Sequence, residues 1–299
     1  MRIRQHTLRQ SVSCSGVGLH SGKKVTLVIH PAPINHGIKF VRVDIPYRPV
    51  IHAHFRQVID TSLATTIGSQ GAIISTIEHL MAAFMGMEID NALVEIDSFE
   101  IPIMDGSAEP FSSLFRDAGV RVQEGSRYFF VIQEPIEIAE AGKSVGIFPS
   151  DSFKISYTID FPHAMLQEQA LSVIVENETF AKEISRARTF GFLQDVDFLK
   201  RNGFALGGSL DNAIVVDQSS NVLNKDGLRY KDEFVRHKIL DFIGDLSLLG
   251  MPIIGHVVAN RSGHTLNHAL LETLITQTHC WHTSTWPYEE SEATAKLSD

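Results

Sequence analysis

Apolar and polar positions change period along this chain, and the changes delimit its elements. Val25-Thr26-Leu27-Val28-Ile29-His30 and Gly37-Ile38-Lys39-Phe40-Val41-Arg42-Val43 read as strands, set apart by Pro and Asn turn signals. The spacing then turns helical over about 75–85, with Ser75 or Thr76 as the N-cap, Glu78 in the first turn and Gly86 as a stop. A strand over 91–96, a turn at Asp105-Gly106-Ser107 and a helix over 111–117 complete the first half. The second half repeats this order. Strands over 128–138, 143–148 and 154–159 precede a helix over about 231–249, a strand over 253–258, a turn at Ser262-Gly263 and a helix over 264–275. The interval from His79 to Ser107 nearly equals that from His237 to His264. These parallels predict an α+β fold of two similar domains, 1–125 and 126–299, arisen by internal duplication. Residues 186–217 have no counterpart in the first copy and carry Phe190, Phe192, Phe198 and Phe204 among Arg and Asp. Long insertions in compact domains are often functional.

Charge and composition narrow the functional classes. Over 299 residues the formal net charge is −9 and 43% of positions are hydrophobic, which describes a globular chain without the basic footprint that duplex DNA requires. Nucleic acid is therefore not an expected partner. Residues 246–259, the longest apolar stretch, are interrupted by Gly250, Pro252, Gly255 and His256 and are too short to span a bilayer. Met1-Arg2-Ile3-Arg4 leads into no apolar signal region. The two cysteines, Cys14 and Cys280, form no CxxC pair or disulfide framework. A cytoplasmic monomer is expected, and the polar residues 289–299 are expected to fray.

Histidine, at 14 residues, introduces the chemistry. In the helix over 231–249, Val235, Ile239, Phe242 and Leu246 form an apolar stripe. His237 and Asp241, at i and i+4, share a different face, which Asp245 extends by a turn. An imidazole and a carboxylate so placed suit zinc or iron(II), although a surface His–Asp pair has the same spacing. His79 falls at the corresponding place in the first copy, beside Ala82, Ala83 and Gly86, which permit close approach of another element. Two histidines and one aspartate would leave the open position a catalytic metal needs. Glu78 adjoins that set as a candidate base. His264, at a Ser-Gly turn entering a helix, is a candidate general acid, with Asp245 to orient it. A rival pairing of His264 with His268 as metal ligands has equal spacing. The glycines at 16, 18 and 22 are misplaced for a dinucleotide fingerprint, and neither GxxxxGK[ST] nor GxSxG occurs.

Six blocks, taken together, resemble one family. They are Gly16-Val17-Gly18-Leu19-His20-Ser21-Gly22, Thr76-Ile77-Glu78-His79-Leu80, Ile101-Pro102-Ile103-Met104-Asp105-Gly106-Ser107, Ser185-Arg186-Ala187-Arg188-Thr189-Phe190-Gly191-Phe192, Leu223-Asn224-Lys225-Asp226-Gly227-Leu228-Arg229 and Val235-Arg236-His237-Lys238-Ile239-Leu240-Asp241. The family is the UDP-3-O-acyl-N-acetylglucosamine deacetylases, zinc amidases at the committed step of lipid A synthesis in Gram-negative bacteria. The resemblance implies helices packed between two β-sheets. It implies His79, His237 and Asp241 as zinc ligands, Glu78 as general base and His264 as general acid beside Asp245. Thr189 is similar to a threonine that hydrogen-bonds the tetrahedral intermediate, and Lys238 to an active-site lysine. The element over about 190–217, with Phe190 and Phe192, resembles an acyl-chain passage, and Arg261, where relatives commonly carry lysine, implies a diphosphate contact. His268 stands where asparagine is usual. The substrate so implied is a small acylated UDP-sugar. An iron(II) oxygenase, or a binding protein with a structural metal, are the competing readings of the same ligands.

Overall fold

In the computed structural model, which describes residues 3–285, the two halves of the chain build sheets of matching strand order. The first half runs β1 (Arg4–Leu8), β2 (Val12–Val17), β3 (Lys24–Pro31), β4 (Ile38–Arg42), β5 (Val50–His52), β6 (Val58–Asp60), β7 (Thr66–Ser69), β8 (Ala72–Ile74), α1 (Glu78–Gly86), β9 (Ala92–Ile96), α2 (Glu109–Ala118) and β10 (Val120–Ser126). The second runs β11 (Tyr128–Ile132), β12 (Ile136–Glu140), β13 (Lys143–Phe148), β14 (Phe153–Ile159), β15 (Gln169–Ile174), a helical turn α3 (Asn177–Thr179), β16 (Phe190–Phe192), α4 (Leu193–Arg201), β17 (Ile214–Val216), α5 (Glu233–Leu246), β18 (Ile253–Asn260), α6 (His264–Thr276) and β19 (Trp281–Thr285). One sheet is ordered β2-β3-β9-β4-β5. The other contains the path β12-β13-β18-β14-β15, extended by β11 and β19. In each, the strand after the long helix enters between two hairpins. It runs antiparallel to one and parallel to the other, β9 beside β4 and β18 beside β14.

Side-chain pattern explains the layers. β9 and β14 alternate buried and half-buried positions, giving each sheet one core-facing side. α2 packs on β2, α5 and α6 pack on strands of the other sheet, and α1 packs on α2 and α5. The helices thus form the layer between the sheets. The expected stripe of α5, Val235, Ile239, Phe242 and Leu246, is buried, but so are His237, Asp241 and Asp245 on the other face. A helix buried nearly all round needs its polar residues satisfied internally, and they are. Where α1 crosses α5, a methyl on Gly244 would collide with the Glu78 carbonyl, so this glycine permits the close approach.

Two local expectations change and a third gains a reason. Neither Ser75 nor Thr76 caps α1; Ile77 precedes it, without a side-chain cap. Thr76 instead adopts a left-handed φ of 59° and donates its hydroxyl to Glu100 at 3.3 Å, closing a turn before the helix. Gly86 ends the helix as expected, as its last residue, and its missing side chain makes room for the Phe180 ring. The strand expected over 128–138 is two strands. It breaks at Pro135, and the Gln133 and Glu134 amides there turn to the Cys280 carbonyl. The insertion is a small β-α-β hood in which β16 and β17 run parallel around α4. The tail over 289–299 lies outside the described residues, within which no helix is long and apolar enough to cross a membrane.

Candidate active site

His237 is buried on α5, and its Nδ1 lies 3.0 Å from the Ala187 carbonyl. A carbonyl can only accept, so Nδ1 carries the hydrogen and the Nε2 lone pair is left free, the tautomer a metal ligand requires. That Nε2 lies 3.3 Å from Asp241 Oδ1 one turn on, and His79 Nε2 of α1 lies 3.5 Å from the same oxygen. The two imidazoles meet edge to face, 4.9 Å between centroids. Donors about 2.0 to 2.1 Å from one tetrahedral ion stand about 3.3 to 3.5 Å apart, so these atoms fit zinc. The other Asp241 oxygen accepts from Lys238 Nζ at 2.7 Å. Burial opposes the Asp241 charge, yet His237 and Lys238 hold its carboxyl well below the usual range. Burial lowers His237 to about 4, keeping its imidazole neutral.

Two further titratable side chains, Glu78 and His264, flank this cluster. Glu78, buried at the start of α1, accepts from the Thr65 amide at 3.1 Å. Burial pushes its carboxyl up, against the opposing pull of His264 and His79. His264 donates Nδ1–H to Asp245 Oδ2 at 2.8 Å. Burial works against its charge, but the Asp245 carboxylate outweighs burial and His264 is pushed up to about 9. Asp245 is itself fixed. It accepts from the Thr65 hydroxyl at 2.6 Å and from Asn267 Nδ2 at 2.8 Å. Thr65 therefore touches the glutamate with its backbone and the partner of the histidine with its side chain.

A brace holds the opposite wall. Glu233, fully buried at the first turn of α5, receives the Arg188 amide at 3.1 Å and its guanidinium at 2.9 Å. This ties the segment carrying Ala187 and Thr189 to the helix carrying His237 and Asp241. The Thr189 amide donates to Gly106, and Arg229 pairs with Asp105 at 2.8 Å. The block over 101–107 thus supports the site without lining it, while of the block over 223–229 only Leu223 reaches the lining.

All of this opens into a cavity of about 970 Å³. Glu78, His79, Thr189, His237, Lys238, Asp241 and His264 line its chemical end, and Phe190, Phe192, Val196, Leu199 and Val215 line an apolar arm under the insertion. Phe190 reaches both ends, with its ring 6.2 Å from that of His237 and 5.8 Å from that of Phe161, which also lines the cavity. Phe192 packs beside Phe161 and His163. Asp245 lies behind the lining. Arg261 lies outside it, half-exposed and paired with Asp160, two residues from Gly263, which does line it. The rival His264–His268 ligand pair does not form: His264 faces Asp245, and His268 Nε2 bonds the Phe55 carbonyl at 3.0 Å. Thr65 and Asn267 were missed from sequence. Each is a neutral side chain with no periodic signal, selected only by tertiary placement.

Comparison with known proteins agrees along nearly the whole chain. Residues 5–276 match the family model described as UDP-3-O-acyl N-acetylglycosamine deacetylase. A protein of Myxococcus xanthus named UDP-3-O-acyl-N-acetylglucosamine deacetylase is 54% identical over 278 residues, covering 93% of this chain and 88% of its own. Proteins of the same name from Syntrophus aciditrophicus and Idiomarina loihiensis are 49% identical over 282 residues and 46% identical over 299. They cover 94% and 99% of this chain, and 89% and 97% of their own.

Proposed function

The chain belongs to the UDP-3-O-acyl N-acetylglycosamine deacetylase family, and from that premise we propose how its residues divide the work. It is a hydrolytic deacetylase of lipid A biosynthesis, removing the N-acetyl group of a UDP-3-O-acyl-N-acetylglucosamine. His79, His237 and Asp241 hold zinc, which when bound makes water a better nucleophile at neutral pH and polarises the amide carbonyl. Glu78 takes the proton of the attacking water. Lys238 keeps one Asp241 oxygen occupied, so that only the other faces the ion. The Thr189 hydroxyl donates to the carbonyl oxygen as negative charge gathers there. An amide nitrogen leaves poorly as an anion, so His264, held and charged by Asp245, delivers the proton that completes C–N cleavage. Acetate and a free 2-amino sugar result. Phe190 and Phe192 contact the acyl chain under the insertion, and Arg261 meets the diphosphate at the rim beyond Gly263. The enzyme acts as a cytoplasmic monomer, with its two repeats dividing near residue 125.

The observation that carries this reading is the convergence of two Nε2 atoms and one carboxylate oxygen between a buried glutamate and a carboxylate-paired histidine. The test is acetate release from UDP-3-O-(3-hydroxyacyl)-N-acetylglucosamine by intact, chelated and zinc-restored protein. Activity should vanish on chelation and return with zinc in the absence of oxygen. A requirement for oxygen would favour the iron(II) reading. Absence of acetate from folded, zinc-loaded protein would leave a binding protein.

A further inference from the structure

We propose a second metal site, built by Glu134, His279 and Cys280, for a zinc-class divalent ion. None of the three lines the catalytic cavity, and their ligand atoms lie within 4.8 Å of one another. Cys280 Sγ is 3.4 Å from His279 Nε2, and that nitrogen is 4.0 Å from Glu134 Oε2. A tetrahedral ion with sulfur at about 2.3 Å and nitrogen at about 2.0 Å separates those two donors by about 3.5 Å. The sulfur–nitrogen edge is therefore already the right length, and the carboxylate has only to swing inward. It is free to do so: the side chains of Glu134 and His279 are 62% and 70% exposed, while Cys280 is 2% exposed and fixed in place.

The backbone holds the parts together. The amides of Gln133 and Glu134 both donate to the Cys280 carbonyl, at 2.8 and 3.2 Å, and the Cys280 amide donates to Gln277. The Gln277 side-chain oxygen, 3.6 Å from the sulfur, stands ready as a fourth donor. One thiolate, one imidazole and one carboxylate select zinc or cobalt over magnesium or calcium, which prefer all-oxygen shells. Binding would displace the thiol proton and link the corner between β11 and β12 to the chain between α6 and β19. An ion there stabilises the folded chain by mass action.

Cobalt(II) titration of the full chain tests this, followed by thiolate-to-cobalt charge-transfer absorption. His79, His237 and Asp241 contain no sulfur, so the band is silent about the catalytic centre and reports only a site that includes a cysteine. The band should grow with a second equivalent of cobalt, disappear in Cys280→Ser and persist in Cys14→Ser. Glu134→Gln and His279→Ala alter exposed side chains and leave the fold intact. Each should weaken the second equivalent by more than the roughly tenfold that loss of an outer-shell partner costs, with acetate release unchanged. No sulfur band at excess cobalt, or a band that survives Cys280→Ser, would overturn the site.

Discussion

Asp245 accepts hydrogen bonds from His264, Thr65 and Asn267, and the consequences of losing each partner differ. His264→Ala removes the proposed proton donor, so kcat should fall by about 10²- to 10⁴-fold while the bound metal is retained. His237→Ala should lose the metal. Elemental analysis beside turnover separates the two, and loss of metal from His264→Ala would refute the assigned roles. Thr65→Val deletes a charge-assisted hydrogen bond but no reacting group. It should lower kcat about tenfold or more with metal content unchanged, and Thr65→Ser should restore it. The pH profile follows from directions of shift. Glu78 must have lost its proton and is pushed up by burial, so activity rises through a pH above the ordinary carboxylate range. His264 must keep its proton and is raised to about 9, so activity falls on the alkaline side. A bound dication lowers both limbs by repelling protons. For folding, the His264 contribution is complete below its free value of 6.5 and is lost as pH rises through about 9. Urea unfolding of metal-free wild type and His264→Ala should therefore converge at alkaline pH.

The α1–α5 crossing is the element on which the chemistry depends, because one helix brings Glu78 and His79 and the other His237, Asp241 and Asp245. Gly244→Ala would drive a methyl into the Glu78 carbonyl. Overpacking of this kind costs about 1 to 3 kcal/mol, measurable by denaturant unfolding. The same displacement should weaken metal retention, since it moves His79 away from Asp241. This crossing also marks the limit of what the pattern discloses. The i, i+4 spacing of His237 and Asp241 puts both on one helical face, and matching intervals place His79 at the same point of its own copy. Both inferences rest on local periodicity, and both elements form. Periodicity says nothing about Thr76, whose left-handed turn answers to Glu100, or about Pro135, where the break is stabilised by the distant Cys280 carbonyl. It cannot reveal Thr65, whose value lies in touching two helices at once. Nor does it explain the supporting blocks, in which Arg188 and Arg229 pair with Glu233 and Asp105 from remote segments.

At the scale of the whole molecule, the proposed metal centre and the hood would act on different halves of one substrate. Stripping the metal leaves the buried Asp241 carboxylate facing the imidazoles of His79 and His237 with no ion between them. The apo protein should therefore melt at lower temperature and recover on zinc addition, as calorimetry would show. Val196→Ala and Leu199→Ala in α4 widen the apolar arm without touching the reacting groups. They should raise KM for the long-chain substrate severalfold while sparing kcat, and should have little effect on a short-chain analogue. Strand β1 carries a consequence for synthesis: its partner is β10, more than a hundred residues later. On a ribosome adding about 5 to 20 residues per second, that edge waits several seconds or more for closure. Once β10 emerges, the first repeat can seal before any ligand from α5 exists. A nascent chain at that stage carries Glu78 and His79 but no complete ion site. Metal loading then becomes a signature of finished translation, and ribosome-bound chains halted before residue 241 should emerge folded in their first half and empty of zinc.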